Sequence, residues 1–292
     1  MPWLQIRVNS SREQAAAVED ALLEQGSQAV TLEDNADQPI FEPQLGETPL
    51  WQDTRVTGLF DADIDTDAVI RSLNEQLPPG NAISWHLLED KDWEREWMSH
   101  YHPIQCADNL WICPSWTAPP DPQAVNLMLD PGLAFGTGTH PTTFLCLQWL
   151  AQQSLKDRTV VDYGCGSGIL GIAALLLGAN RVIGTDIDPQ ALLATRENVS
   201  RNRLSADSFP VFFPDKCPRE PVDVVLANIL AGPLVELAPS LCDLLKPGGR
   251  ICLSGVLSTQ ESALLAAYEP RIAIDTVTRR EEWICLTGTA RT

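Results

Sequence analysis

The chain has 292 residues, 44% of them hydrophobic and 20% charged, with a net charge of −19; that is the composition of a globular protein long enough for two domains. Its longest apolar stretch, Ile169 to Ala179, spans 11 residues, well short of the roughly 20 that a membrane helix needs. The amino terminus has no basic region followed by an apolar run, so no secretory signal is expected and the cytoplasm is the default location.

Eight cysteines, at 106, 113, 146, 165, 217, 242, 252 and 285, lie at least seven residues apart. That spacing matches neither a zinc knuckle nor a redox CxxC, so no metal is expected and the thiols read as reduced, buried small residues. The acidity is uneven. Residues 1 to 90 hold 17 acidic and 4 basic side chains, a net of −13, and no lysine precedes Lys91. Nucleic-acid binding relies on Lys and Arg to displace phosphate counterions, so direct nucleic-acid contact is not expected here. A basic protein partner suits such a surface, and plain solubility is the alternative.

Along the chain, Trp3 to Val8 alternates as a strand, and Ser10 with Glu13 has the spacing of a capping box opening a helix. That helix buries Ala15, Val18 and Leu22 and stops at Gly26. Ala29 to Glu33 follows as a strand, Asn35 to Pro49 as an acidic loop and Thr54 to Asp61 as a third strand. Asp65 or Thr66 caps a helix carrying Val69, Leu73 and Leu77, ended by Pro78, Pro79 and Gly80. Ala82 to Leu88 completes a βαββαβ order, the ferredoxin-like α+β unit. Residues 1–89 are therefore expected to form one small domain, residues 90–104 a helical connector carrying Trp93 and Trp97, and residues 105–292 a second domain.

In the second domain, Leu110 to Cys113 and Val125 to Leu129 are short strands, and Thr142 to Ala151 is a helix with Pro141 at its first position and Thr139 or His140 as its cap. From Thr159 onward strands alternate with helices: Thr159 to Tyr163, Arg181 to Thr185, Pro210 to Phe213, Val222 to Ala227 and Arg250 to Ser254. Such alternation specifies a doubly wound α/β fold with a mostly parallel sheet. Ile272 to Val277 and Glu282 to Thr287 are joined by a hairpin-length connection, so one strand at that edge is antiparallel.

The chemistry concentrates at the carboxyl ends of these strands, where a doubly wound sheet binds ligands. Thr159 to Tyr163 runs into Gly164-Cys165-Gly166-Ser167-Gly168, where glycines permit positive φ and let a ligand approach bare backbone. Asp186, at the end of the next strand, is placed to accept both hydroxyls of a ribose. Gly166 to Gly171 also fits GxGxxG, but its first glycine falls three residues past the strand, too late for a dinucleotide turn. Read from Asp162, the loop resembles the D-x-G-x-G-x-G of class I S-adenosylmethionine-dependent methyltransferases, and the edge hairpin fits the same fold. In those enzymes an acidic residue near the loop also contributes to the site for the cofactor's ammonium group.

Two more motifs narrow the resemblance. Leu129 to Thr143 reads LDPGLAFGTGTHPTT, a loop rich in glycine and threonine placed to cover a cofactor. Asn228 to Leu234 reads NILAGPL where a strand ends. It resembles the Asn-Pro-Pro-Tyr motif of methyltransferases acting on planar nitrogen, but the aromatic ring that stacks on a base is gone, which favours an aliphatic amine as acceptor. With DIDPQA at Asp186 to Ala191, these motifs resemble the ribosomal protein L11 methyltransferase (PrmA) family over essentially the whole chain.

The resemblance implies a monomeric enzyme that takes methyl groups from S-adenosylmethionine to lysine and α-amino groups of a large-subunit ribosomal protein, with the front domain recognising that substrate. Carried over by motif, the cofactor contacts are Thr143, Gly164, Asp186 and Asn228, with Gly166 and Phe135 added. Asn228 is the expected catalytic residue, accepting amine N–H bonds and aiming the lone pair, and His140 is a lesser candidate as a proton relay. A nucleic-acid base methyltransferase and a non-catalytic S-adenosylmethionine-binding scaffold are the alternatives.

Overall fold

The structure, a computed structural model, describes residues 2–38, 40, 48–88, 101–130, 136 and 138–291. It divides into two compact units, Met1–Met98 and Ser99–Thr292. Most of the expected connector, including Trp93 and Trp97, lies outside the described residues.

The first unit comprises β1 (Trp3–Ser11), α1 (Ala15–Glu24), β2 (Ala29–Asp34), β3 (Asp53–Asp61), α2 (Thr66–Gln76) and β4 (Ile83–Leu88). The strands form one sheet in the order β2-β3-β1-β4, with every pairing antiparallel. Alternation puts Leu4, Ile6 and Val8 on the buried face, where they pack with Val18 and Leu22 of α1 and Leu73 of α2. The Asp65 side chain caps α2 by accepting from Ala68 N at 3.0 Å. The capping box expected at Ser10 and Glu13 does not form. β1 stays paired with β3 as far as Ser11 opposite Asp53, and α1 begins only at Ala15 behind Gln14, which makes no side-chain cap bond. Strand pairing there outcompetes the local helix signal.

The second unit begins with β5 (Ile104–Ala107), β6 (Leu110–Cys113) and β7 (Val125–Met128), a three-stranded sheet of its own. There follow α3 (Pro141–Ala151), β8 (Thr159–Tyr163), α4 (Ile169–Leu176), β9 (Arg181–Thr185), α5 (Pro189–Arg201), β10 (Val211–Phe212) and β11 (Val222–Asn228). The chain then forms α6 (Ala231–Glu236), α7 (Ala238–Asp243), β12 (Leu245–Leu257), α8 (Glu261–Tyr268), β13 (Ile272–Arg280) and β14 (Trp283–Ala290). The large sheet has the order β10-β9-β8-β11-β12-β14-β13. β14 is its one antiparallel strand, lying against both β12 and β13.

Both faces of this sheet are covered, as a parallel sheet requires. Val160 of β8 points into a core with Leu147, Ile172, Val182 and Leu226. Its neighbour Val161 points to the opposite core with Ile183, Val225, Leu253 and Tyr268. α4 is buried on every side, and a Cβ at Gly171 would come within 2.2 Å of the Phe209 ring. Among the described residues, no helix is long and apolar enough to cross a membrane.

Candidate functional site

Three neighbouring strands, β9, β8 and β11, end side by side, because Tyr163 pairs with both Thr185 and Ala227. Their next residues, Asp186, Gly164 and Asn228, are thereby brought to one edge of the sheet. The glycine loop is built around that edge. Gly164 N and Cys165 N both donate to Thr185 O, at 2.7 and 3.0 Å, and Gly166 N donates to Asp186 Oδ2 at 2.9 Å. From α5, Thr195 Oγ1 donates to Gly166 O and Asn198 Nδ2 to Ser167 O, at 3.0 and 2.8 Å. Ser167 Oγ donates to Gly136 O at 2.7 Å, tying the loop to the segment before α3.

Gly164, Gly166 and Gly168 sit at φ +74°, +55° and +78°, a region that costs other residues about 1–2 kcal/mol. A Cβ on Gly164 would also lie 2.2 Å from Ile229 Cγ2. Gly164→Ala is therefore expected to destabilise the fold by about 2–5 kcal/mol, the sum of backbone strain and overpacking. Thermal melting checks this, and an unchanged midpoint would contradict it.

Asp162 is 1% exposed, and its Oδ2 accepts from Gly171 N at 2.8 Å. It thus occupies the third backbone N–H of α4, in the first turn where a dinucleotide's pyrophosphate would seek donors. Burial pushes its carboxyl up to about 7, the Gly171 N–H opposes that rise and the nearby Asp186 charge adds to it. Between the ordinary carboxylate range and about pH 7, the folded chain thus holds a proton that the unfolded chain has lost. Stability falls as pH rises through this window, by up to roughly 4 kcal/mol at about 1.36 kcal/mol per pH unit. Asp162→Asn removes that loss. Its melting point should exceed wild type at about pH 8, with the gap closing toward about pH 4; a gap independent of pH would contradict the assignment.

Opposite the loop, α3 delivers Thr143, fully buried, whose Oγ1 accepts from Asn228 Nδ2 at 3.2 Å. The other end of that amide, Asn228 Oδ1, is buried with no hydrogen-bond partner among the described residues. A buried acceptor left unpaired is costly, which makes Asn228 Oδ1 a candidate acceptor for an N–H donor. His140 caps α3 through Thr142 N, meets the Trp283 ring edge-on at 4.9 Å, and has its imidazole pushed down by burial, with Glu281 opposing. The structure thus gives His140 a capping place.

Of the residues expected at the site, Gly164, Gly166 and Asp186 are tied together, and Asn228 and Thr143 are bonded to each other. Phe135 lies outside the described residues. Sequence reasoning missed Ile187, which follows Asp186 and is 84% exposed. An apolar residue between two aspartates, just beyond a strand end, was the available signal. Its side chain offers an apolar face beside the carboxylate expected to hold a ribose.

The family profile described as Ribosomal protein L11 methyltransferase (PrmA) matches residues 2–291. The chain belongs to this family. It is 72% identical over 292 residues to the ribosomal protein L11 methyltransferase of Teredinibacter turnerae, covering 100% of this chain and 98% of that one. It is 65% identical to the protein of that name in Saccharophagus degradans, covering 99% of each. The crystal structure of ribosomal protein L11 methylase from Lactobacillus delbrueckii subsp. bulgaricus superposes with a TM-score of 0.59 at 34% identity, over 66% of this chain and all of that one.

Membership in the L11 methyltransferase family makes the protein an S-adenosylmethionine-dependent methyltransferase. The residues present suit that cofactor. The loop offers glycine backbone in place of side chains, Asp186 brings a carboxyl group rather than a cation, and Asp162 occupies a first-turn N–H of α4, which fits a cationic cofactor and disfavours a pyrophosphate. Asp186 keeps acceptor capacity for ribose hydroxyls after its bonds to Gly166 N and to Asp188 N at 3.0 Å.

Proposed function

We propose that this protein methylates lysine ε-amino groups and the α-amino group of ribosomal protein L11, acting as a cytoplasmic monomer without direct contact to nucleic acid. Residues 1–89 recognise the substrate, residues 90–104 connect, and residues 105–292 bind S-adenosylmethionine and catalyse, with Thr143, Gly164, Gly166, Asp186, Asn228 and Phe135 as cofactor contacts. Bound S-adenosylmethionine supplies an electrophilic methyl group on a sulfonium. The chain's own task is to hold an amine lone pair in line with it.

The observation that carries this reading is the unpaired Oδ1 of Asn228. An amine entering the site loses water and needs acceptors for its N–H groups, and Asn228 Oδ1 is such an acceptor, already oriented by Thr143. A lysine amine, with an ordinary pKa of about 10.4, must also lose its proton before reacting. Desolvation beside a cation favours that loss, so no dedicated base is required. The −13 charge of residues 1 to 90 supports recognition of a basic protein.

Mass spectrometry of unmethylated L11 after incubation with the enzyme and S-adenosylmethionine should show methyl increments on lysines and on the N-terminal amine. Label that enters only ribosomal RNA would overturn the proposal. Removing residues 1 to 90 should abolish methylation of L11 while leaving cofactor binding intact; retained L11 methylation would remove the recognition role.

A further inference from the structure

Cys146, Cys252 and Cys285 lie 106 and 33 residues apart in sequence, yet α3, β12 and β14 place them in one cluster. All three are fully buried, their sulfurs lie within 4.8 Å of one another, and Cys252 Sγ and Cys285 Sγ are 3.4 Å apart. They are the one group of three such ligands among the described residues. Three sulfurs bound at about 2.3 Å to one ion lie about 4.0 Å apart in a trigonal plane and about 3.5 Å apart in a trigonal pyramid. The Cys252–Cys285 pair already has that spacing, and the widest pair has to close by roughly 1 Å at most.

The surroundings select the ion. The cluster sits in an apolar core with Leu147, Leu150 and Leu226, and burial pushes the Cys252 thiol far up. Three thiolates around a monovalent ion carry −2, and around a divalent ion −1. Such buried charge is costly. Around a trivalent ion the product is neutral.

We propose that Cys146, Cys252 and Cys285 form a binding site for a trivalent thiophilic metalloid of the arsenite class. Arsenous acid, As(OH)3, reacts with three S–H groups to form three As–S bonds, and the three hydroxides leave with the thiol protons as three waters. No oxidation state changes. Access comes through local opening of α3, the element that carries Cys146.

The test uses the reduced full-length protein and arsenite alone. Native mass spectrometry after removal of excess reagent should show one adduct per chain, heavier by one arsenic less three hydrogens. X-ray absorption at the arsenic edge should give three sulfur neighbours. Cys146→Ala and Cys285→Ala should lose the three-sulfur adduct, while Cys106→Ala and Cys113→Ala keep it. A folded wild-type protein that retains no arsenic, or shows fewer than three sulfurs, overturns the site, as does an unchanged adduct in either triad variant. The wild-type spectrum decides the matter even if a triad variant fails to fold.

Discussion

Asp186→Ala should weaken S-adenosylmethionine binding by roughly 100-fold to 10,000-fold, the loss of two hydrogen bonds to a charged group at about 1.5–3 kcal/mol each. The carboxylate has two tasks at once. It accepts from Gly166 N and Asp188 N, which fixes the glycine loop, and under the proposed assignment its remaining lone pairs take the ribose hydroxyls. Alanine removes both the proposed ligand contact and the anchor. Asp186→Asn keeps one acceptor oxygen and should show a smaller loss. Calorimetry with S-adenosylmethionine, on protein whose circular dichroism matches wild type, measures the effect; an unchanged Kd for the alanine variant would refute the ribose assignment.

Asn228→Ala should lower kcat by roughly 100-fold to 1,000-fold, the range seen when one oriented hydrogen-bonding group is removed from a reacting centre. Cofactor affinity should fall far less, because the loop and Asp186 remain. Thr143→Val tests the orientation argument separately. It removes the Oγ1 that accepts from Asn228 Nδ2 and preserves shape, so the amide is free to turn and kcat should drop by a smaller factor. The double variant should be no worse than Asn228→Ala, because Thr143 acts through Asn228. Single-turnover kinetics beside equilibrium cofactor binding separates these outcomes, and a loss confined to cofactor affinity would move Asn228 out of the transfer step.

The parts of this site that were legible in the sequence are those whose signal is local. The β-branched run of β8, three glycines at alternate positions and a carboxylate one strand later define the loop without tertiary information. Asn228 was visible because its motif closes a strand. β5 was not, since four residues with a single buried position carry no periodicity. The length of β12 was obscured by Pro247-Gly248-Gly249, which reads as a turn. In the structure, Val222 pairs with Leu245 and Val224 with Arg250, so those residues bulge out while the strand continues. The thiol cluster was hidden for the opposite reason: its spacing exists only after α3 has packed on β12 and β14.

The antiparallel β14 has a consequence for how the protein comes to exist in a cell. Among the described strands it follows both of its neighbours in the chain, yet it fills an interior place between β12 and β13. Until residues 283–290 emerge, β12 has an open edge and β13 has no neighbour. Pairings between β12 and β14 span up to 39 residues of chain, from Arg250 to Thr289, so the nascent chain must keep its apolar strands from pairing with other molecules during that interval. Closing the hairpin is the event that converts a vulnerable nascent chain into a completed sheet.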